Sequence, residues 1–130
     1  MFSHVHIGTQ NLALAAEFYD RVLAPLGIVR KFTEVDRGWA GWQQEGIDRP
    51  LFLLGRPVNG EMPAPGNGHM VAFMATYRNQ VERCYELAIA AGGVGEGSPG
   101  LRPEYHPNYF GAYFRDLDGN KVCVCCHAPE

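Results

Sequence analysis

Apolar residues recur at helical spacing twice along the chain, with the same kinds of neighbour each time. Leu12, Ala15, Ala16, Tyr19, Val22 and Leu23 form one stripe, and Val81, Cys84, Tyr85, Ala88 and Ile89 form the other. The first predicts a helix from Leu12 to Ala24, with Asn11 as its N-cap and Pro25 and Gly27 as its stop. The second predicts a helix from Asn79 to Ala91, ended by Gly92 and Gly93. Alternating or short β-rich runs surround these helices. Residues 28 to 34, 39 to 44 and 51 to 54 read as strands after the first helix, and Tyr109 to Phe114 and Val122 to Cys126 after the second. A further strand near Gly93 to Glu96 is weakly marked. Asp118-Gly119, flanked by β-formers, predicts a hairpin turn between the last two strands.

His4 lies 23 positions before Gly27, and His69 lies 23 positions before Gly92. Two halves of one pattern, each a strand, a helix and then several strands, point to an internal duplication. The segment from Pro57 to Gly68 is rich in Pro and Gly and reads as the linker. The expected organisation is a single α+β domain over residues 1–130. Module one covers about 1–58, the linker about 57–68 and module two about 69–128.

Composition narrows the class. In 130 residues, 46% are hydrophobic and 19% charged, enough apolar mass for a packed core rather than a disordered chain. The net charge of −3 comes without any run of Lys or Arg, so neither nucleic acid nor an anionic membrane is an expected partner. No stretch approaches the ~20 apolar residues of a membrane-spanning helix, and the Met-Phe-Ser-His start lacks the pattern of a secretory signal. Three of four cysteines crowd into Cys123, Cys125 and Cys126, which argues against a disulfide framework and for reduced thiols in a cytoplasmic protein.

Strand alternation sorts the chemistry by face. Val5 and Ile7 belong under the first helix, leaving His4, His6 and Gly8 on the other face; Val122 and Val124 leave Cys123, Cys125 and His127 opposite. Around His69 the alternation is silent, but equivalence with His4 by the repeat would turn it away from its helix too. Trp39 and Trp42, three apart on one strand, face opposite sides, one to a cleft and one to the core or a dimer contact.

His4, Asn11-Leu12, Glu17-Phe18-Tyr19 through Leu26-Gly27, then Gly68-His69-Met-Val-Ala-Phe, and finally Asp116-Leu-Asp118-Gly119-Asn120-Lys121 together give the chain a resemblance to the vicinal oxygen chelate superfamily of glyoxalases, bleomycin-resistance proteins and extradiol dioxygenases. The resemblance spans nearly the whole chain. It implies two βαβββ modules whose sheets form an open trough, with metal ligands from the first and last strands of each module. By position these fall on His4, His69 and Cys123, while the matching strand Leu51-Phe52-Leu53-Leu54 carries no ligand. Both carboxylates usual in the family are thus absent. The implied cofactor, if any, is a divalent metal with zinc favoured, because two imidazoles and a thiolate suit it better than a harder ion. The other reading of Cys123 is a small apolar space-filler.

Residues 99 to 109 combine rigid turns with Arg102, Tyr105, His106 and Tyr109. They read either as a loop closing the site, with Arg102 pairing an anion and Tyr105 or His106 moving a proton, or as a plain surface loop. Gly95 to Gly100 matches G-x-G-x-x-G, but follows a helix and contains Pro99, so it is read as a flexible loop and not a dinucleotide site. Two functions follow. One is a metal-dependent lyase, isomerase or transferase acting on a small oxygen-rich substrate, the metal serving as Lewis acid. The other is a non-catalytic binder that sequesters a small molecule, with His6, Trp42, Tyr109 and Tyr113 among the residues lining its site. A homodimer is the expected assembly.

Overall fold

The computed structural model describes residues 1–130. Its elements are β1 (His4–Gly8), α1 (Leu12–Leu23), a 3-10 turn (Ala24–Leu26), β2 (Ile28–Glu34), β3 (Trp39–Gln44), β4 (Leu51–Gly55), β5 (Val71–Ala75), α2 (Arg78–Ala90), β6 (Val94–Leu101), β7 (Phe110–Arg115) and β8 (Lys121–Cys126). Two four-stranded sheets have the orders β1-β4-β3-β2 and β5-β8-β7-β6. In each, the first strand pairs parallel to the last and the others run antiparallel. The chain therefore carries two βαβββ modules with open sheets, as the duplicated pattern predicts. The weakly marked strand is longer than expected: the glycine-rich run from Gly95 to Gly100 is part of β6, not a flexible loop, and pairs with β7 through two register shifts.

Local chemistry sets the helix ends. The Asn11 side chain accepts from the Leu14 N–H at 3.2 Å, capping α1, and Gly27 at φ 73° closes the 3-10 turn after it. At α2 the Gln80 carboxamide oxygen accepts from the Thr76 and Tyr77 N–H groups, both at 2.9 Å, while its NH2 donates to the Pro25 carbonyl of the other module at 2.9 Å.

One core joins the modules. Ala16, Tyr19 and Val22 of α1, Trp42 and Leu54 of the first sheet, Val81 and Ala88 of α2, and Phe114 and Val124 of the second sheet belong to a single buried cluster. Phe18 of α1 meets Phe114 of β7, and Phe52 of β4 meets Phe73 of β5 edge-on at 5.1 Å. Helix-side faces of both sheets thus line shared interior, and the opposite faces of both remain open.

The Asp116–Asn120 turn fastens this arrangement. Asp116, 5% exposed, accepts the Tyr19 hydroxyl at 2.6 Å and the Asp118 and Asn120 N–H groups at 2.9 Å each. The Asn120 amide donates to the Gly8 carbonyl at 2.9 Å, and the Gln10 N–H donates to Asp118. Three contacts therefore tie the β7–β8 turn to the first module, two of them at the exit of β1. Burial first, and then the Asp116 carboxylate, push the Tyr19 phenol well above its ordinary value. A raised phenol stabilises the fold below pH 10 and loses that contribution as pH rises through its folded value. Tyr19→Phe should cost about 1–2 kcal/mol at pH 7 by urea unfolding. It should also flatten the fall in stability that the wild-type protein shows above pH 10.

Candidate functional site

Pairing fixes which side chains share the open faces. On the first sheet, His4 and His6 lie beside Leu51 and Leu53, and β3 adds Trp39, Gly41 and Gln43. Trp39 stacks edge-on with Phe32 and its indole N–H donates to Glu34 at 2.9 Å. Trp42 has the opposite parity. It is fully buried under α1, its indole N–H donating to Asp20 at 3.0 Å, and it backs a separate apolar hollow of about 500 Å³ with Val5, Phe52 and Phe73, so the tryptophan of the open face is Trp39.

His6 lines a hollow of about 470 Å³ with Arg56, Pro57, Pro63 and Asn120. Burial, and secondarily His4, lower its imidazole from the ordinary value. His4 is exposed, with Nδ1 2.9 Å from the Ser3 hydroxyl.

On the second sheet, Ala72 and Met74 of β5 lie beside Cys123 and Cys125 of β8, which in turn lie beside Tyr113 and Gly111 of β7. His69 is outside this alternation. β5 begins two residues later, and the His69 ring folds back over the linker, where a Cβ on Gly66 would sit. The reason is one residue of spacing: His4 stands eight positions before the first residue of α1, whereas His69 stands nine before that of α2. The position matching His4 by face is Met70, not His69. His4, His69 and Cys123 therefore do not share equivalent places, and no group of three or more His, Cys, Asp or Glu side chains comes together to hold a metal ion.

What does come together lies on the second sheet. A hollow of about 660 Å³ is bounded by His69, Met70, Tyr105, His106, Tyr109, Tyr113, Arg115, Lys121 and His127. Five residues expected at the site, His69, Tyr105, His106, Tyr109 and Tyr113, meet there. Tyr105 and Tyr109 stack edge-on at 5.0 Å, and the His106 and His127 rings stack at 5.1 Å. Arg102 stands behind Tyr113, its guanidinium 5.5 Å from the ring centroid and donating to the Ser98 carbonyl at 2.7 Å. Gly97 makes this packing possible, since a Cβ there would fall 2.9 Å from the Tyr113 ring. Arg115 and Lys121 share the Glu96 carboxylate at 2.8 and 3.6 Å. The Arg115 hydrogen bond is the main reason Glu96 lies below the usual carboxylate range.

Hydrogen bonds run through the floor of this hollow. The Tyr113 hydroxyl donates to the Tyr109 hydroxyl at 3.0 Å, which stands 3.5 Å from the Cys123 sulfur. On the other side, His106 Nε2 lies 2.8 Å from His127 Nδ1, and His127 Nε2 lies 3.6 Å from the Cys125 sulfur. The two thiols titrate in opposite directions. Their mutual interaction raises Cys123, helped by burial, and lowers Cys125 against the effect of its burial, helped by Tyr109 and His127. Burial raises both Tyr109 and Tyr113 above the ordinary phenol value. The strand pattern placed Cys125 and His127 on one face, but their link to His106 depends on how a loop returns across the sheet, and no sequence periodicity carries that information. Tyr109→Phe and Tyr113→Phe should each remove absorbance from the late part of the 295 nm phenolate titration and leave the early part unchanged.

The chain matches the family model described as Glyoxalase/Bleomycin resistance protein/Dioxygenase superfamily over residues 1–124. Among solved structures it is similar to a glyoxalase/bleomycin resistance protein from Albidiferax ferrireducens T118. That match has 32% identity and a TM-score of 0.86 and covers 98% of this chain and 99% of the other. A glyoxalase/bleomycin resistance protein/dioxygenase family enzyme from Burkholderia phytofirmans PsJN shares 17% identity, with a TM-score of 0.73 and coverage of 97% and 98%. TioX from Micromonospora sp. ML1 shares 16%, with a TM-score of 0.68 and coverage of 98% and 99%. The last two similarities concern the fold alone. Among curated proteins, none matches the chain.

Proposed function

For a chain that belongs to the Glyoxalase/Bleomycin resistance protein/Dioxygenase superfamily, we propose a small-molecule binder that holds a planar, oxygen-rich anion on the open face of its second module. The carrying observation is the convergence of Tyr105, Tyr109, Tyr113 and the His106–His127 pair on one hollow that also contains Arg115 and Lys121. Its volume suits a small organic ligand. Aromatic edges and faces would grip a flat ring system, and the two cations, only partly compensated by Glu96, favour a carboxylate or enolate group.

Metal-dependent catalysis is the other reading the family brings. A divalent ion held in the family manner needs donors on the open faces of β1, β4, β5 and β8. This chain offers His4 or His6 on β1, Leu51 and Leu53 on β4, and Ala72 and Met74 on β5. On β8, Cys123 is fully buried and bonded to Tyr109. Two of four strands supply no donor at all, and these residues do not fit such an ion. No chemical step is assigned to one, and sequestration is favoured over turnover.

Binding of aromatic carboxylates measured by calorimetry tests this. Tyr113→Ala should weaken binding roughly tenfold, the scale of one lost aromatic contact, whereas His4→Ala should leave it unchanged. Equal losses in both variants, or binding that appears only after zinc is added, would contradict the proposal.

No helix is long and apolar enough to cross a membrane, and four free thiols suit the reducing interior of a cell. The assembly we propose is a homodimer. β1 and β5 are unpaired sheet edges, and the large apolar side chains Phe2, Met70 and Met74 lie exposed along them. Light scattering should give twice the chain mass of 14.4 kDa, and Met74→Glu should shift it to the single-chain value; a wild-type value of 14.4 kDa would refute the dimer.

A further inference from the structure

One line of hydrogen bonds ends on the Cys125 sulfur. It starts at a donor whose direction is fixed: the Asn108 backbone N–H donates to His106 Nδ1 at 3.1 Å. That nitrogen is therefore an acceptor, so in neutral His106 the proton sits on Nε2 and is donated to His127 Nδ1 at 2.8 Å. His127 in turn carries its proton on Nε2, 3.6 Å from the Cys125 sulfur, and points a donor at it. A second line runs from the Tyr113 hydroxyl to that of Tyr109 and on to the Cys123 sulfur, two residues before Cys125 on the same strand face. These are the titratable groups that face Cys125: Cys123 from its own strand, His127 just past that strand's end, and Tyr109 and His106 from the loop before β7. Its β5 neighbour is Met74, which carries no charge.

A sulfur at which an imidazole N–H is aimed is stabilised as the thiolate. We propose that Cys125 is a nucleophilic thiolate that captures soft electrophiles, α,β-unsaturated carbonyl compounds in particular, on this face. The inference rests on the binding proposal above, because Tyr109 and His127, which flank the sulfur, also line that hollow. Cys125 is 5% exposed, whereas Cys84 and Cys123 are fully buried and Cys126 is 1% exposed on the helix side, where its thiol donates to the Thr76 carbonyl. Gly111 lets the Tyr109 ring lie flat against the strand beside Cys125, since a Cβ there would come within 2.8 Å of that ring. In the addition, a sulfur lone pair forms the C–S bond at the β-carbon and the C=C π pair moves onto the carbonyl as an enolate. Solvent then protonates the α-carbon, so the net change is addition of S–H across the double bond.

Limiting N-ethylmaleimide at pH 7, followed by peptide mass mapping, tests the assignment. The adduct should sit on Cys125 and form roughly tenfold faster than on glutathione, as expected of an activated thiolate. His127→Asn should slow it by a similar factor with the far-UV circular dichroism unchanged, and Cys125→Ser should abolish the fast phase. Labelling spread over Cys84 and Cys126, a Cys125 rate no greater than that of glutathione, or a rate indifferent to His127→Asn would overturn it. Aromatic-carboxylate binding by the wild-type protein, measured on the same preparation, separates the two ideas: retained binding with an inert Cys125 sinks the thiolate alone, and loss of both sinks the binding site as well.

Discussion

A buried carboxylate with several donors holds the two modules in register. Asp116 cannot leave water cheaply unless its oxygens are satisfied, and here the Tyr19 hydroxyl, two N–H groups of its own turn and the Asn120 amide satisfy them. One donor comes from the first module, so the turn closes fully only when α1 lies against it. Asn120 and Asp118 then fix the exit of β1 through Gly8 and Gln10. The aromatic contacts from Phe18 to Phe114 and from Phe52 to Phe73 add area to a relation already oriented by polar geometry.

That relation decides where chemistry can occur. Both helices and the apolar faces of both sheets are committed to one core, apart from an apolar hollow bounded by Val5, Trp42, Phe52 and Phe73, and the polar chemistry is left to the outer faces. They are unequal. The first presents Leu51, Leu53, Trp39 and two imidazoles, one of them exposed at the strand's start. The second presents phenols, thiols, imidazoles and cations joined by hydrogen bonds. A donor set suited to a divalent metal would draw on both modules, but this chain concentrates its polar groups on one.

Much of this was legible in the letters. The strands 28–34 and 39–44 fall where the pattern put them, Asn11 caps α1, and the turn at Asp118-Gly119 connects β7 and β8. Period-two alternation correctly separated His4 and His6 from Val5 and Ile7, and Cys123 and Cys125 from Val122 and Val124. It could not place His69, because Met70 and Val71 are both apolar and the repeat, anchored on its closing glycines, is one residue out at its start. Nor could it choose between Trp39 and Trp42: each is a large aromatic on the same strand, and only the packing of Tyr19 and Phe52 shows which one is core. The thiol–imidazole chain was half visible, since His127 shares a strand face with Cys125 while His106 arrives from the loop before β7.

The central claim is that ligand recognition resides on the second module's open face. Backbone amide NMR during titration with an aromatic carboxylate tests it most directly. The account predicts that shifts cluster at residues 105–115 and 121–127 and leave residues 4–8 and 39–55 unmoved. Perturbations centred on His4, His6 and the β4 leucines would contradict it.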